Sequence, residues 1–380
     1  MRFIDLAAQQ ARIRDKVETR IAAVLKHGHY IMGPEVAELE EHLCAFTGAA
    51  HCVTCASGSD ALLMALMAWG IGVGDAIFVP PFTFFATAEM PALLGATPVF
   101  VDIEPRSFLM CPDALEHAIR TVKKAGQLRP RVVVPVDLFG QPAAYEKLLP
   151  IANRHGLMLL EDAAQSFGSS RHGNRACALG CHAAATSFFP SKPLGCYGDG
   201  GALFTDDAEL AVQLRSIRVH GKGGDKYDNI RLGINGRLDT LQAAVLLAKL
   251  EIFTDELAER AKIAVWYGES LAGIPNLLPP ILEPGNTSVW AQYCTLLPEE
   301  VRDTVIIRLM ERGIPTNIYY PKPLHLLKAF AHLGYTPRDF PEALAASRRI
   351  LALPFHPYLD RDSIAQIAQA LADALTGDVA

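Results

Sequence analysis

The sequence contains no long apolar run and no excess of positive charge. None of its hydrophobic stretches reaches the roughly 20 apolar residues that span a bilayer, and the opening MRFIDLAAQQARIRDKV is charged throughout, unlike a secretory signal. Its 35 Lys and Arg against 41 Asp and Glu give a formal net charge of −6. Binding a phosphate backbone requires a cationic face. We therefore expect a cytoplasmic protein whose partners are neither membranes nor nucleic acids.

Cysteine is also sparse, with eight residues in a chain of 380. This density is far below that of a disulfide scaffold and favours reduced thiols. Residues 51–55 and 177–182 each bring Cys and His close together, but zinc needs four convergent ligands at suitable spacing. The first segment lies in a β-like run, where Cys is commonly a small buried hydrophobe. We expect no metal site.

Short apolar runs alternate with helix-length segments between about residues 50 and 205. This rhythm is typical of an α/β fold with a mostly parallel sheet covered by helices on both faces. The predicted strands are HCVTCAS, AIFVPP, TPVFVDI, RVVVPVDLF, LMLLEDAA, ATSFFP and GALFTD. The segment 237–273 reads as one or two long helices, followed by the Pro-rich PNLLPPILEPG. We expect a large domain over 1–250, including an N-terminal arm, and a smaller one over 251–380.

Ligands of open α/β sheets bind at the carboxyl ends of the strands. Ser57, Gly58 and Ser59 follow the first predicted strand and lead directly into a predicted helix. Glycine allows a tight turn there, and the first N–H groups of a helix suit a phosphate. An ordinary Ser or Asp N-cap explains the same residues.

Asp162 follows the buried strand LMLL, where an unpaired carboxylate is costly. A protonated pyridine nitrogen would be a suitable partner, although Asp162 could also cap the following segment. Lys192 lies between an apolar strand and the Gly-rich SFFPSKPLGCYGDGG. Burial there would lower its pKa and free its amine for imine chemistry, whereas an isolated Lys is usually a solvated charge. A phosphate cradle, a carboxylate and a lysine on successive strand ends together predict a pyridoxal-phosphate (PLP) site.

Motifs along nearly the whole chain resemble the DegT-type nucleotide-sugar aminotransferases, a family of fold-type I PLP enzymes. They are FIDL, YIMGPEVAELE, ASGSDALL, PPFTFFATAEM, PVFVDI, EDAAQSFG, SFFPSKPLGCYGDGG, LGINGRLDTLQAAVL and YYPKPLH. The resemblance implies that Lys192 carries PLP as a Schiff base and that Asp162 pairs with the ring nitrogen. It also implies a set of further cofactor contacts: Gln165 on the ring hydroxyl, Phe84 stacked on the ring, Gly58, Ser59 and Ser187 on the phosphate, and Asn235 on the phosphate of a neighbouring subunit.

Three of these residues have plainer local explanations. Phe84 lies in an aromatic run that would suit core packing, and Asn235 between two glycines reads as a turn residue. Ser187 could be a strand hydroxyl bonded to the backbone. Only the resemblance favours the cofactor roles.

The same resemblance implies amino transfer from glutamate to a nucleotide-linked keto-sugar by a homodimer with shared active sites. The chain is most similar to the branch that aminates UDP-2-acetamido-2-deoxy-3-oxo-glucuronate for surface polysaccharide such as lipopolysaccharide O-antigen. Arg237 could bind the uronate carboxylate across the dimer interface, with Tyr319, Tyr320 and His325 lining the same pocket. Two alternatives stay open: a dTDP-keto-deoxysugar aminotransferase, and a PLP-binding regulator without turnover.

Overall fold

A computed structural model describes residues 1–225 and 227–376 of the chain. The α-helices in these residues are α1 (Leu6–His27), α2 (Pro34–Thr47), α3 (Gly58–Ala68), α4 (Ala86–Leu93), α5 (Pro112–Ala125), α6 (Tyr145–His155), α7 (Ala208–Ile217), α8 (Thr240–Leu271), α9 (Glu299–Glu311), α10 (Pro341–Arg349) and α11 (Arg361–Thr376). The strands are β1 (His51–Cys55), β2 (Asp75–Val79), β3 (Thr97–Phe100), β4 (Arg129–Val133), β5 (Met158–Asp162), β6 (Ser170–Arg171), β7 (Asn174–Arg175), β8 (Ala183–Ser187), β9 (Gly201–Thr205), β10 (Asn286–Thr287), β11 (Tyr293–Leu296) and β12 (Ile350–Leu353).

The seven predicted strands form one sheet in the order β1-β9-β8-β5-β4-β2-β3. The pairs from β8 to β3 are parallel, and β9 runs antiparallel to both of its neighbours. The predicted α/β class with a mostly parallel sheet is therefore confirmed. Because β1, β8 and β5 point the same way, their carboxyl ends lie along one edge of the sheet.

Local sequence signals place the helix boundaries as expected. Ser57 caps α3 by accepting a hydrogen bond from the N–H of Asp60 at 3.0 Å. Helices α5 and α6 end at Gly126 and Gly156, whose φ angles of 66° and 69° are left-handed. The segment 237–273 forms a single long helix rather than two.

Helices cover both faces of the sheet. On one face, α3 and α7 pack on the strands in a core that includes Val53 and Leu203. On the other face, α2 and the first half of α8 pack around Phe204, while α5 and α6 cover Phe78. These apolar layers explain why the strands read as continuous hydrophobic runs.

The C-terminal part is built on a two-stranded sheet of β11 and β12. The second half of α8 packs against this sheet together with α9 and α11, in a core that contains Tyr267 and Leu351. The predicted boundary at residue 250 falls inside α8 and stays a prediction. In the part of the chain that the structure describes, no helix is both long and apolar enough to cross a bilayer.

Candidate active site

Three polar segments meet at the sheet edge where β1, β8 and β5 end. Strand β5 ends at Asp162, β8 ends at Ser187, and α3 begins three residues after β1. The sequence predicted this convergence from the positions of the residues along the chain. The structure adds the contacts between them.

Gly58 and Ser187 approach each other closely at the start of α3. A Cβ on Gly58 would lie 2.6 Å from the Cβ and 3.1 Å from the Oγ of Ser187. The N–H groups of Gly58 and Ser59 have no acceptor among residues 1–225 and 227–376. Such free N–H groups beside a serine hydroxyl suit a phosphate.

The side chain of Ser57 is already engaged within its own helix. Its Oγ accepts from the N–H of Asp60 at 3.0 Å and lies 3.1 Å from the Oδ2 of Asp60. The N-cap explanation therefore describes this hydroxyl, and the predicted phosphate contact of Ser57 stays a prediction.

Asp162 is a buried carboxylate with a defined orientation. Asp162 is only 4% exposed. Its Oδ2 accepts a hydrogen bond from the hydroxyl of Thr87 at 2.9 Å. Oδ1 accepts from the N–H of Ala164 at 3.2 Å. Burial raises the pKa of Asp162, whereas the positive charge of Lys192 opposes that rise. A cation placed next to it would stabilise its charged form.

Lys192 follows β8 in a turn closed by its N–H, which donates to the carbonyl of Phe189 at 2.8 Å. Lys192 is half-buried. Desolvation lowers the pKa of Lys192 to about 8, against the opposing effect of Asp162. At pH 7 roughly a tenth of such amines are uncharged, compared with fewer than one in a thousand for an ordinary lysine. Lys192 is therefore suited to form an imine.

The amide of Gln165 connects two segments that are distant in sequence. Its Oε1 accepts from the N–H of Phe139 at 2.8 Å, and its Nε2 donates to the hydroxyl of Tyr320 at 3.2 Å. Gln165 is only 3% exposed, so these bonds determine its orientation. The second N–H of the amide has no partner in the described residues, which leaves a donor for a bound group.

Phe84 is 57% exposed, so it does not serve as core packing. Its carbonyl accepts from the N–H of Thr87 at 3.3 Å, and Thr87 is the residue that binds Asp162. A free aromatic face next to the residue that orients Asp162 suits stacking on a planar ring.

The other predicted residues are placed less directly. Asn235 is exposed, and its loop touches the start of α3 because the N–H of Ala56 donates to the carbonyl of Gly236 at 3.0 Å. Arg237 forms no ion pair with the described residues, and its buried Nε has no hydrogen-bond partner. Tyr319 is half-buried, with its ring 6.4 Å from that of Phe3.

His325 lies inside an aromatic core cluster. It is 2% exposed, its ring centre is 4.8 Å from that of Phe340, and neither ring nitrogen has a partner in the described chain. Burial lowers its pKa to about 4, so it is neutral at pH 7. Its predicted contact with substrate stays a prediction.

Sequence reasoning missed Thr87 and Phe139. Thr87 lies three residues after Phe84, on the first turn of α4, and this spacing was the available signal. Phe139 acts through its backbone N–H and has a φ of 60°. No residue-type pattern reveals such a contact.

The residues at this edge fit PLP. The cofactor carries a phosphate, a ring nitrogen, a ring hydroxyl and an aldehyde, and the site offers free N–H groups, a buried carboxylate, an unpaired amide N–H and a lysine of low pKa. In the described residues, no group of three or more His, Cys, Asp or Glu could hold a metal ion, and all eight cysteines are unpaired.

Comparison with known sequences decides the family. The sequence model of the DegT/DnrJ/EryC1/StrS aminotransferase family matches residues 11–372. The chain belongs to this family. A UDP-2-acetamido-2-deoxy-3-oxo-D-glucuronate aminotransferase from Pseudomonas aeruginosa is 49% identical over 97% of this chain and 99% of the relative.

Relatives with other names are also similar. A dTDP-3-amino-3,4,6-trideoxy-alpha-D-glucose transaminase from Streptomyces venezuelae is 38% identical over 97% of this chain and 94% of the relative. A pleiotropic regulatory protein from Geobacillus stearothermophilus is 39% identical over 98% of this chain and 97% of the relative.

Solved structures agree with the fold and the cofactor. A DegT DnrJ EryC1 StrS aminotransferase from Brucella abortus has a TM-score of 0.95 and 49% identity, covering 99% of both chains. The PLP form of a putative sugar aminotransferase from Streptococcus pneumoniae has a TM-score of 0.88 and 25% identity, covering 96% of both chains. This chain is therefore a PLP-dependent sugar aminotransferase with an α/β fold.

Proposed function

We propose that this aminotransferase transfers an amino group from glutamate to UDP-2-acetamido-2-deoxy-3-oxo-glucuronate, in a cytoplasmic homodimer that serves surface-polysaccharide synthesis. The similarity to the P. aeruginosa enzyme, over nearly the full length of both chains, supports this substrate. Exposed apolar side chains at Tyr30, Ile31, Ile230 and Leu232 support an interface with a second copy.

The assignment of a uronate substrate depends on the unpaired side chain of Arg237. Its Nε is buried without a hydrogen-bond partner, and its guanidinium forms no ion pair within the described residues. A buried polar group without a partner is costly, and a guanidinium matches a carboxylate with two parallel hydrogen bonds. A uronate supplies such a carboxylate, whereas a neutral deoxysugar does not.

The site residues divide the work of amino transfer. When bound, PLP supplies an electron sink for the carbon that loses its proton. Asp162 would keep the ring nitrogen protonated, Gln165 would bind the ring hydroxyl, and Phe84 would stack on the ring. In the half-reaction with glutamate, the Nζ of Lys192 would take the proton from the substrate carbon and deliver it to the cofactor carbon that held the aldehyde. In the half-reaction with the keto-sugar, it would carry the proton in the opposite direction. The two substrates share one site in turn, so we expect ping-pong kinetics.

A matched pair of sugars tests the substrate. The wild-type enzyme is given UDP-linked 3-oxo-N-acetylglucosaminuronate or the corresponding 3-oxo-N-acetylglucosamine, in which a hydroxymethyl group replaces the carboxylate, and the products are identified by mass. We expect a preference for the uronate. Arg237→Ala should reduce kcat/KM for the uronate by roughly 10- to 150-fold, the range of a charged hydrogen bond of 1.5–3 kcal/mol, and leave the neutral sugar nearly unaffected.

Arg120→Ala, a change at an exposed arginine of α5, is the control and should alter neither rate. Equal turnover of both sugars by the wild type would refute the carboxylate assignment. Turnover of dTDP-linked keto-deoxysugars alone would replace it with the deoxysugar alternative. Binding of PLP without turnover of any sugar would favour the regulator.

A further inference from the structure

Two fully buried carboxyl groups are neighbours of Asp162 in the fold. Asp137 and Glu161 are each 0% exposed, and Glu161 precedes Asp162 on β5. Buried carboxylates require cations or several donors to offset the loss of hydration. Neither residue forms an ion pair within residues 1–225 and 227–376.

Asp137 has the donors expected of a carboxylate. Its Oδ1 accepts from the N–H of Ala143 at 2.9 Å and from the hydroxyl of Tyr145 at 2.8 Å. Its Oδ2 accepts from the hydroxyl of Ser166 at 2.7 Å. Burial raises the pKa of Asp137, and these three donors oppose that rise by stabilising the ionised form.

Glu161 is satisfied on one side only. Its Oε1 accepts from the N–H of Cys177 at 2.8 Å, whereas its buried Oε2 has no partner in the described residues. The carboxyl groups of Glu161 and Asp137 interact directly, and each alters the pKa of the other. Two anions in such contact repel strongly, and a proton on Oε2 both removes the repulsion and supplies the missing hydrogen bond.

The surroundings favour the neutral form of Glu161. Burial raises its pKa well above the ordinary value, and the negative charge of Asp137 raises it further. The other titratable groups facing the pair are Tyr145, Asp162, Cys177 and Cys181. Burial raises the pKa of the phenol and of both thiols, so they stay neutral, and Asp162 adds a further negative charge.

The pair is connected to both residues proposed to hold the cofactor ring. The N–H of Asp137 donates to the carbonyl of Asp162 at 3.1 Å. Asp137 also binds Ser166, the neighbour of Gln165. Two residues after Asp137, the N–H of Phe139 donates to the Oε1 of Gln165 at 2.8 Å.

We propose that Glu161 is a neutral carboxylic acid that donates its proton to Asp137, and that this pair positions Asp162 and Gln165 for the cofactor. The proposed positioning of Asp162 and Gln165 rests on their proposed roles in cofactor binding. The proposed protonation of Glu161 does not depend on those roles. Glu161 and Asp137 touch neither substrate nor cofactor, so they are positioning residues.

The proton on Glu161 is tested by the pH dependence of stability. Unfolded Glu161 loses its proton near pH 4.3, whereas the folded protein keeps it, so raising the pH favours the unfolded wild type. Glu161→Gln, which donates permanently, lacks this dependence. The ratio of the unfolding constants of wild type and Glu161→Gln should therefore rise about tenfold per pH unit between about pH 5.5 and 7.

Denaturant unfolding of the PLP-loaded enzymes measures this ratio. Glu300→Gln, at an exposed position of α9, is the control and should give a constant ratio. A constant ratio for Glu161→Gln as well would overturn the proposal. It would mean that Glu161 is ionised, for example hydrated in the cavity of about 10 Å³ that Glu161, Cys177 and Cys181 line. An infrared carbonyl band of a protonated carboxyl, present in the wild type and absent from Glu161→Gln, checks the same point without unfolding.

The positioning role is tested by PLP affinity. Asp137→Asn should weaken PLP binding to the apo-enzyme by roughly tenfold, the upper range for one ordinary hydrogen bond. If the effect passes through Gln165, the loss should be smaller when Gln165→Ala is already present. Unchanged affinity, or strictly additive losses, would overturn the positioning role. Both tests can be interpreted even if the enzyme does not aminate the proposed sugar.

Discussion

The Nε2 of Gln165 donates to the hydroxyl of Tyr320 across 155 positions of sequence, at 3.2 Å. This bond joins the loop after β5 to the C-terminal part of the chain. Tyr320→Phe removes the acceptor and leaves the Gln165 amide less constrained. We expect kcat/KM for amino transfer to fall about threefold to tenfold, for a net hydrogen bond of 0.5–1.5 kcal/mol. An unchanged kcat/KM at an unchanged melting temperature would contradict this coupling.

Lys192→Ala should abolish turnover, because Lys192 is the residue proposed to form the imine with PLP and to move the proton. The visible absorbance band of the lysine-linked cofactor should disappear as well. Lys262→Ala, at an exposed position of α8, should keep both properties. Full aminotransferase activity in Lys192→Ala would refute the assignment.

Gly58→Ala should weaken PLP binding, because its new Cβ would lie 2.6 Å from the Cβ of Ser187. Overpacking of this kind costs about 1–3 kcal/mol, or roughly 5- to 150-fold in affinity if the strain falls on the phosphate cradle. Gly72→Ala is the matched control, since its Cβ would have its nearest neighbour at 3.8 Å. Equal PLP affinities in the two variants, measured by titration of the apo-enzymes, would exclude a phosphate site at Gly58 and Ser187.

The attachment of PLP to the apo-enzyme should depend on pH through Lys192. Only the neutral amine attacks the aldehyde, and burial lowers the pKa of Lys192 to about 8. The rate should therefore rise with pH up to about 8 and level off above it. Stopped-flow measurement of the absorbance change gives this profile, and a rate still rising at pH 10 would show an ordinary lysine.

The amino-acid sequence alone determined the architecture of the sheet and the main chemistry of the site. Continuous apolar runs and glycine stops are local signals, so β1, β5 and α3 follow from neighbouring residues. Asp162 ends β5 and Lys192 follows β8, so the sequence could predict both as site residues, and the family motifs supplied their proposed roles.

Tertiary structure decided what orients these residues. Thr87 reaches Asp162 over 75 positions, and Phe139 holds Gln165 through a backbone N–H that no residue pattern marks. The burial of His325 among aromatic rings and the lone proton proposed between Glu161 and Asp137 also depend on packing. Desolvation and hydrogen bonding act between groups that become neighbours only when the chain folds. These contacts therefore could not be predicted from the sequence.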